Sequence, residues 1–161
     1  MVPSRSSAAP QGGEPVVEDT EQVKDVSFVV ERAMRSSPEA IFDAWTQHFD
    51  TWFARPGAIA MEATVGQPYW FDVEHEGSHV AHYGIFLAVE RHALLELTWV
   101  SGRGGTDGAE TVLRIELTPL GGGTLLRLSH GGFYDDAAAE RHRSSWPTIL
   151  DYLDDRLSTT P

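Results

Sequence analysis

The sequence predicts an α+β fold: a curved antiparallel sheet of about six to seven strands wrapped around a long carboxy-terminal helix, with two short helices after the first strand. Three observations carry this. Period-two apolar runs recur between Val26 and His130, and most of the links between them are short and rich in turn formers, so consecutive strands pair antiparallel. Ser37-Pro38-Glu39 is a helix start: a capping hydroxyl, a proline suited to the first position and an acid facing the positive end of the dipole. Trp146, Ile149, Leu150, Leu153 and Leu157 fall at i, i+3, i+4, i+7 and i+11, one face of a helix. A one-sided sheet and a one-sided helix bury both faces by packing together.

The elements follow in order. Phe28, Val30 and Met34 share one phase of a strand beginning at Val26, with Arg32 in the same phase and so pointing inward. Ile41, Phe42 and Trp45 form the stripe of the first short helix. His48 to Phe53 reads as a second, turning Phe49, Trp52 and Phe53 inward, and Pro56-Gly57 stops it. A short strand near Ile59 to Thr64 precedes five more: Tyr69–His75, His79–Glu90, Leu94–Ser101, Thr111–Thr118 and Thr124–His130. Alternation puts Tyr69, Phe71 and Val73 on the inner face with Ile85, Leu87 and Val89, then Leu113, Ile115 and Leu117, then Leu126, Leu128 and His130, with Trp99 joining them. Pro147 either kinks the last helix or starts a fresh one capped by Ser145.

Residues 1–25 differ. Small and acidic residues there cannot bury enough surface to offset ordering entropy, so they read as a flexible acidic tail ahead of a domain spanning 26–158. The whole chain is 161 residues with 41% hydrophobic side chains, enough for one real core. Its net charge of -12 repels phosphate backbones and argues against nucleic acid. The absence of cysteine excludes disulfides and thiolate chemistry, and the one lysine, Lys24, lies outside the patterned region. No apolar run is long enough to span a membrane, and Met1 to Glu14 lacks the apolar core of a signal peptide, so a cytoplasmic location is expected.

Two motifs need testing against their chemistry. His75-Glu76-Gly77-Ser78-His79 matches the zinc-peptidase pattern, but that chemistry needs both histidines on one helix face. Here the flanks alternate as strands and Gly77-Ser78 sits where a hairpin turn belongs, so no metal site is expected, although His75, His79 and His82 stand close in sequence. Gly102–Gly108 lacks the lysine-serine ending of a phosphate loop and reads as a mobile loop at a cavity mouth or as a plain connection.

The run Arg32 through Ser37-Pro38-Glu39-Ala40-Ile41-Phe42-Asp43-Ala44-Trp45-Thr46 resembles the START-like (SRPBCC, helix-grip) superfamily. So do Gly84–Glu90, Leu97-Thr98-Trp99, Gly123–Phe133 and Trp146 with Leu150-x-x-Leu153. Within that superfamily the likeness is to the homologues of the activator of the heat-shock-protein-ninety ATPase, of the single-domain bacterial type. The resemblance implies a sheet gripping the last helix, usually around a cavity. It also implies three kinds of activity found among such proteins: ligand binding, regulation of a chaperone, and cyclase or dehydratase chemistry.

The residues favour the first. Trp52, Phe53, Tyr69, Phe71, Ile85, Trp99, Leu128, Phe133, Trp146 and Leu150 are the expected apolar contacts for a small hydrophobic or amphipathic molecule. Arg32, Tyr69 and His130 are the expected polar contacts, with His130 the acid or base if turnover occurs. No catalytic residue is assigned, and no cofactor is expected.

Overall fold

The computed structural model describes residues 26–159; the acidic segment 1–25 lies outside the described residues. Seven strands run β1 (Val26–Met34), β2 (Ile59–Ala60), β3 (Pro68–His75), β4 (Ser78–Glu90), β5 (Leu94–Ser101), β6 (Thr111–Leu120) and β7 (Gly123–Phe133). Helix α1 (Pro38–Thr46) and a 3-10 turn (Phe49–Thr51) follow β1, and α2 (Asp136–Thr159) closes the chain. The sheet order is β1-β7-β6-β5-β4-β3-β2, every pair antiparallel. The meander therefore runs from β2 to β7, and the first strand returns to pair with the last. Its inner face packs on α2, the helix-grip arrangement that the periodicities require.

Local chemistry sets the boundaries. Ser37 caps α1 by accepting the backbone N–H of Ala40, with Pro38 in the first turn. The expected second helix shrinks to the 3-10 turn, because Phe53 and Ala54 both donate to the carbonyl of Phe49 and the indole of Trp52 turns back to the carbonyl of Ala44. Its aromatic side chains still face inward as expected, Phe49 and Trp52 being buried and Phe53 half-buried. The expected strand over 59–64 keeps two paired residues only. Glu76 and Gly77 both have positive φ, 50° and 79°, the conformation of a two-residue hairpin turn. His75-Glu76-Gly77-Ser78-His79 is thus a hairpin and not a helix.

The inner phase holds for Tyr69, Phe71, Leu113, Ile115, Leu117, Leu126, Leu128 and His130, all buried. It fails in β4. Phe86 is the buried residue there, while Ile85 and Leu87 are on the outer face, 42% and 38% exposed. The cause is a bulge: Phe86 pairs with Leu97 but Ala88 pairs with Glu96, so Leu87 is an extra residue. Before the bulge the even residues point inward; after it Val89 does, packed against the core. Helix α2 runs through Pro147 without interruption, and Ser145 caps nothing, because its hydroxyl donates back to the carbonyl of Arg141.

One ion-paired latch fixes α2 against the end of β1. The carboxylate of Asp154, nearly buried, accepts the backbone N–H groups of Arg35 and Ser36 at 3.1 and 3.2 Å, the Ser36 hydroxyl at 3.1 Å and Nε of Arg35 at 3.2 Å. Burial alone raises the pKa of Asp154, but these donors outweigh it and hold the group below the ordinary carboxylate value.

Candidate functional site

The inner face of β3, β4 and β5 does not meet α2 all the way along. A cavity of about 410 Å3 lies between them, within the range of small-molecule sites. Phe53, Trp99 and Trp146 supply aromatic wall, and Val73, Val80 and Ile149 supply aliphatic wall. The rings touch in a continuous set: Phe53 stacks on Trp146 at 6.0 Å, Trp99 meets Trp146 at 5.8 Å, and His82 meets Trp99 at 5.1 Å. Arg103, Gly104 and Gly105 of the glycine-rich loop form one side, as expected of a loop at a cavity mouth. The loop is tied down and not mobile as expected: Thr106 N–H donates to Ser101 Oγ and Ser101 N–H to Thr106 Oγ1, both at 2.9 Å. The guanidinium of Arg141 spans the carbonyls of Gly104 and Gly105 and the carboxylate of Asp107. Those contacts hold Asp107 below the ordinary carboxylate value, the Gly104 N–H foremost and then Arg141.

Of the residues expected to contact a ligand, the structure brings Phe53, Trp99 and Trp146 to the cavity. Trp52, Phe71, Leu128 and Leu150 are packed in the main core, to which Trp99 and Trp146 also belong, and Phe133 lies in a second cluster with Ala138 and Ala139. Ile85 is on the opposite face of the sheet, because the bulge puts the even residues of β4 inside.

None of the three expected polar contacts lines the cavity. Arg32 does share the inner phase of β1, but its guanidinium pairs with Asp151 of α2. The Tyr69 hydroxyl donates to the carbonyl of Thr98 at 2.6 Å, and burial raises its pKa far above the ordinary phenol value. His130 is fully buried and both of its ring nitrogens are engaged. The indole N–H of Trp146 donates to Nδ1 at 3.2 Å, which places the ring proton on Nε2. Nε2 lies 2.8 Å from Thr111 Oγ1, which in turn donates to the carbonyl of Trp99 at 2.5 Å. Burial, and then His142, hold His130 well below the ordinary histidine pKa. A neutral imidazole with both nitrogens bonded internally links α2, β7 and β6.

The polar groups that do line the cavity are His75, His82, Ser101, Arg103, His142 and Ser145. His82 stands on the inner face between its strand partners Phe71 and Ser101, stacked on Phe71 with ring centroids 4.8 Å apart. Its Nδ1 lies 3.3 Å from the carbonyl of Val80. Burial lowers its pKa to about 4, with the Val80 carbonyl partly opposing and His142 adding to the shift. His142 Nδ1 lies 2.8 Å from the carbonyl of Ala138, and burial lowers its pKa as well. A carbonyl only accepts, so in both rings Nδ1 carries the proton and Nε2 carries the lone pair.

The sequence held a signal for each. His142 lies four residues before Trp146, so the helical stripe extends back to it. His82 lies two pairs of positions from Phe86 in the even phase of β4, which the bulge makes the inner one. His75 stands at the rim, its side chain largely exposed. His79 faces the other side of the sheet, 2.8 Å from the carboxylate of Asp72, so it cannot share a metal with His75. Among the described residues no group of three or more histidines and carboxylates is arranged to hold a metal ion.

Comparison with known proteins agrees with the fold. The MLL2253 protein of Mesorhizobium loti has 26% sequence identity and a TM-score of 0.70, with 84% of this chain and 99% of that one covered. The Aha1 dimer of Colwellia psychrerythraea superposes with a TM-score of 0.65 at 16% identity, over 83% of this chain and 97% of that one. DynU16, described as a putative protein of the dynemicin biosynthetic locus, does so with a TM-score of 0.69 at 17% identity, over 84% of this chain and 48% of that one. No curated protein matches the sequence. The family model described as Activator of Hsp90 ATPase homolog 1-like protein matches residues 35–158, from the latch at Arg35 to the last turn of α2, and the chain belongs to that family.

Proposed function

We propose that this protein binds a small hydrophobic or amphipathic molecule in the cavity between the sheet and α2. One observation carries the reading: Phe53, Trp99 and Trp146 converge on an open volume that no side chain fills. Aromatic wall with a few fixed polar groups is how small-molecule sites are built.

The test is native mass spectrometry of the purified protein, followed by organic extraction of what it carries. A stoichiometric adduct is expected, lost when Phe53→Ala or Trp146→Ala removes aromatic wall. A bare mass, with no rise in melting temperature across a library of lipids and aromatic compounds, would defeat the reading. Weight would then move to a chaperone-regulating interaction domain, the reading that the family description supports. That alternative is tested by salt-dependent co-purification with a chaperone of the heat-shock-protein-ninety type.

A further inference from the structure

We propose that the cavity selects a neutral aromatic molecule bearing a hydroxyl group, a phenol or fused-ring phenol, whose O–H donates to Nε2 of His82 or His142. This rests on the cavity-binding reading and specifies it. The argument is one of matched hydrogen-bonding sense. His82 and His142 both line the cavity, and in each the Nδ1 proton is directed to a backbone carbonyl, of Val80 and Ala138 respectively. What each ring has left to offer is a lone pair. Ser145 has likewise spent its hydrogen, on the carbonyl of Arg141.

Toward these two imidazoles the complementary ligand group is therefore a donor. A carboxylate would set its own lone pairs against those of the two imidazoles, and its one charged partner would be Arg103 at the mouth, away from them. Protonating either ring to accommodate it is opposed by the same burial that keeps them neutral. An ammonium donor is also disfavoured: no carboxylate side chain lines the cavity, and Arg103 stands at its mouth. A neutral hydroxyl meets the lone pairs without a charge to desolvate. The flat walls of Phe53, Trp99 and Trp146 match a ring better than an alkyl chain.

Three probes of one shape separate the possibilities: 2-naphthol, 2-methoxynaphthalene and 2-naphthoate, titrated against the full chain and followed by nitrogen–proton correlation spectra. The expected order places 2-naphthol tightest, about 3- to 10-fold tighter than 2-methoxynaphthalene, the size of one neutral hydrogen bond. The same order places 2-naphthoate last. His82→Phe and His142→Phe together should erase the preference for the naphthol and leave binding of the methoxy compound. A readout on the unaltered protein guards against misfolded variants. The unprotonated Nε2 resonance of His82 or His142 should shift on adding 2-naphthol and stay put with 2-methoxynaphthalene. Equal affinity for these two, or tighter binding of 2-naphthoate, would overturn the donor selectivity while leaving the cavity reading standing. Failure of all three to bind would overturn the aromatic hydroxyl as ligand class, and the adduct and thermal-shift tests above would decide the cavity reading by themselves.

Discussion

The indole N–H of Trp146 donates to Nδ1 of His130 at 3.2 Å, a hydrogen bond between two buried side chains that ties α2 to β7. It continues through His130 Nε2 and Thr111 Oγ1 to the backbone of Trp99, so helix and three neighbouring strands share one polar thread inside an aromatic cluster. Such a thread is stabilising only when every member is satisfied, because an orphaned polar group in a dry interior carries its full desolvation cost.

Thr111→Val tests this thread with almost no change of shape. It leaves the Nε2–H of His130 without its acceptor and the Trp99 carbonyl without its hydroxyl donor. The expected cost is about 1–3 kcal/mol in urea unfolding. The double variant with His130→Leu should cost less than the sum of the two single changes, since both break the same chain. Strict additivity would show that the thread does not act as a unit.

Acid sensitivity follows from the buried imidazoles. His82, His130 and His142 all have pKa values lowered in the folded protein, so the unfolded chain binds more protons than the native one below pH 6.5. Their contribution is complete above the unfolded value and is lost as pH falls from there toward the folded one, about 4 for His82. Each should steepen the loss by about 1.4 kcal/mol per pH unit. The lowered carboxylates, Asp72, Asp107 and Asp154, act below this window, because their contributions are lost only as they protonate. Unfolding free energies measured from about pH 8 to about pH 5 should therefore decline, and a flat profile would contradict the neutral assignment.

Asp154→Asn should loosen the latch between α2 and the end of β1. The amide presents one acceptor oxygen where the carboxylate offers two, and it carries no charge for Arg35. A loss of about 2–4 kcal/mol is expected, with faster amide exchange in the last turns of α2. An unchanged midpoint of unfolding would show the latch to be idle.

Gly84→Ala should be among the most damaging small changes in the protein. An added methyl carbon would stand 2.1 Å from the carbonyl oxygen of Thr98 and 2.6 Å from its Oγ1. The same carbonyl accepts the Tyr69 hydroxyl, and the same Oγ1 accepts the N–H of Ile85. Since the obstacle is backbone, β4 and β5 must separate or the fold must fail. A destabilisation of more than about 3 kcal/mol, with the Tyr69 hydroxyl released to titrate nearer its ordinary value, is the expected result. Thermal unfolding and ultraviolet titration of the tyrosines measure the two effects.

The architecture was legible in the sequence because its periodicities were long and its turns short. The helix stripe from Trp146 to Leu157 and the alternation in β6 and β7 translate directly into burial. The site was legible in part. Phe53, Trp99 and Trp146 are large apolar residues that belong inside wherever the fold puts them, and the cavity collects these three. Ile85 failed because a bulge reverses the phase of a strand, and Leu87 carries no mark that it is the extra residue. Arg32, Tyr69 and His130 lie off the cavity for a different reason. Their inward phase was right, but each found a partner from a distant segment: Asp151, Thr98, and Trp146 with Thr111. Pattern reveals which face a side chain takes; only topology reveals what waits there.

Pro147 gives α2 an uneven grip. Having no N–H, it leaves the carbonyl of Arg143 without a helical donor in mid-helix. On one side of that missing rung lie Arg141, which clasps the glycine-rich loop, and His142. On the other lies Asp154, the anchor at β1. The helix thus holds the domain at two separate points, the loop at the cavity mouth and the end of β1, with its one missing backbone rung between them.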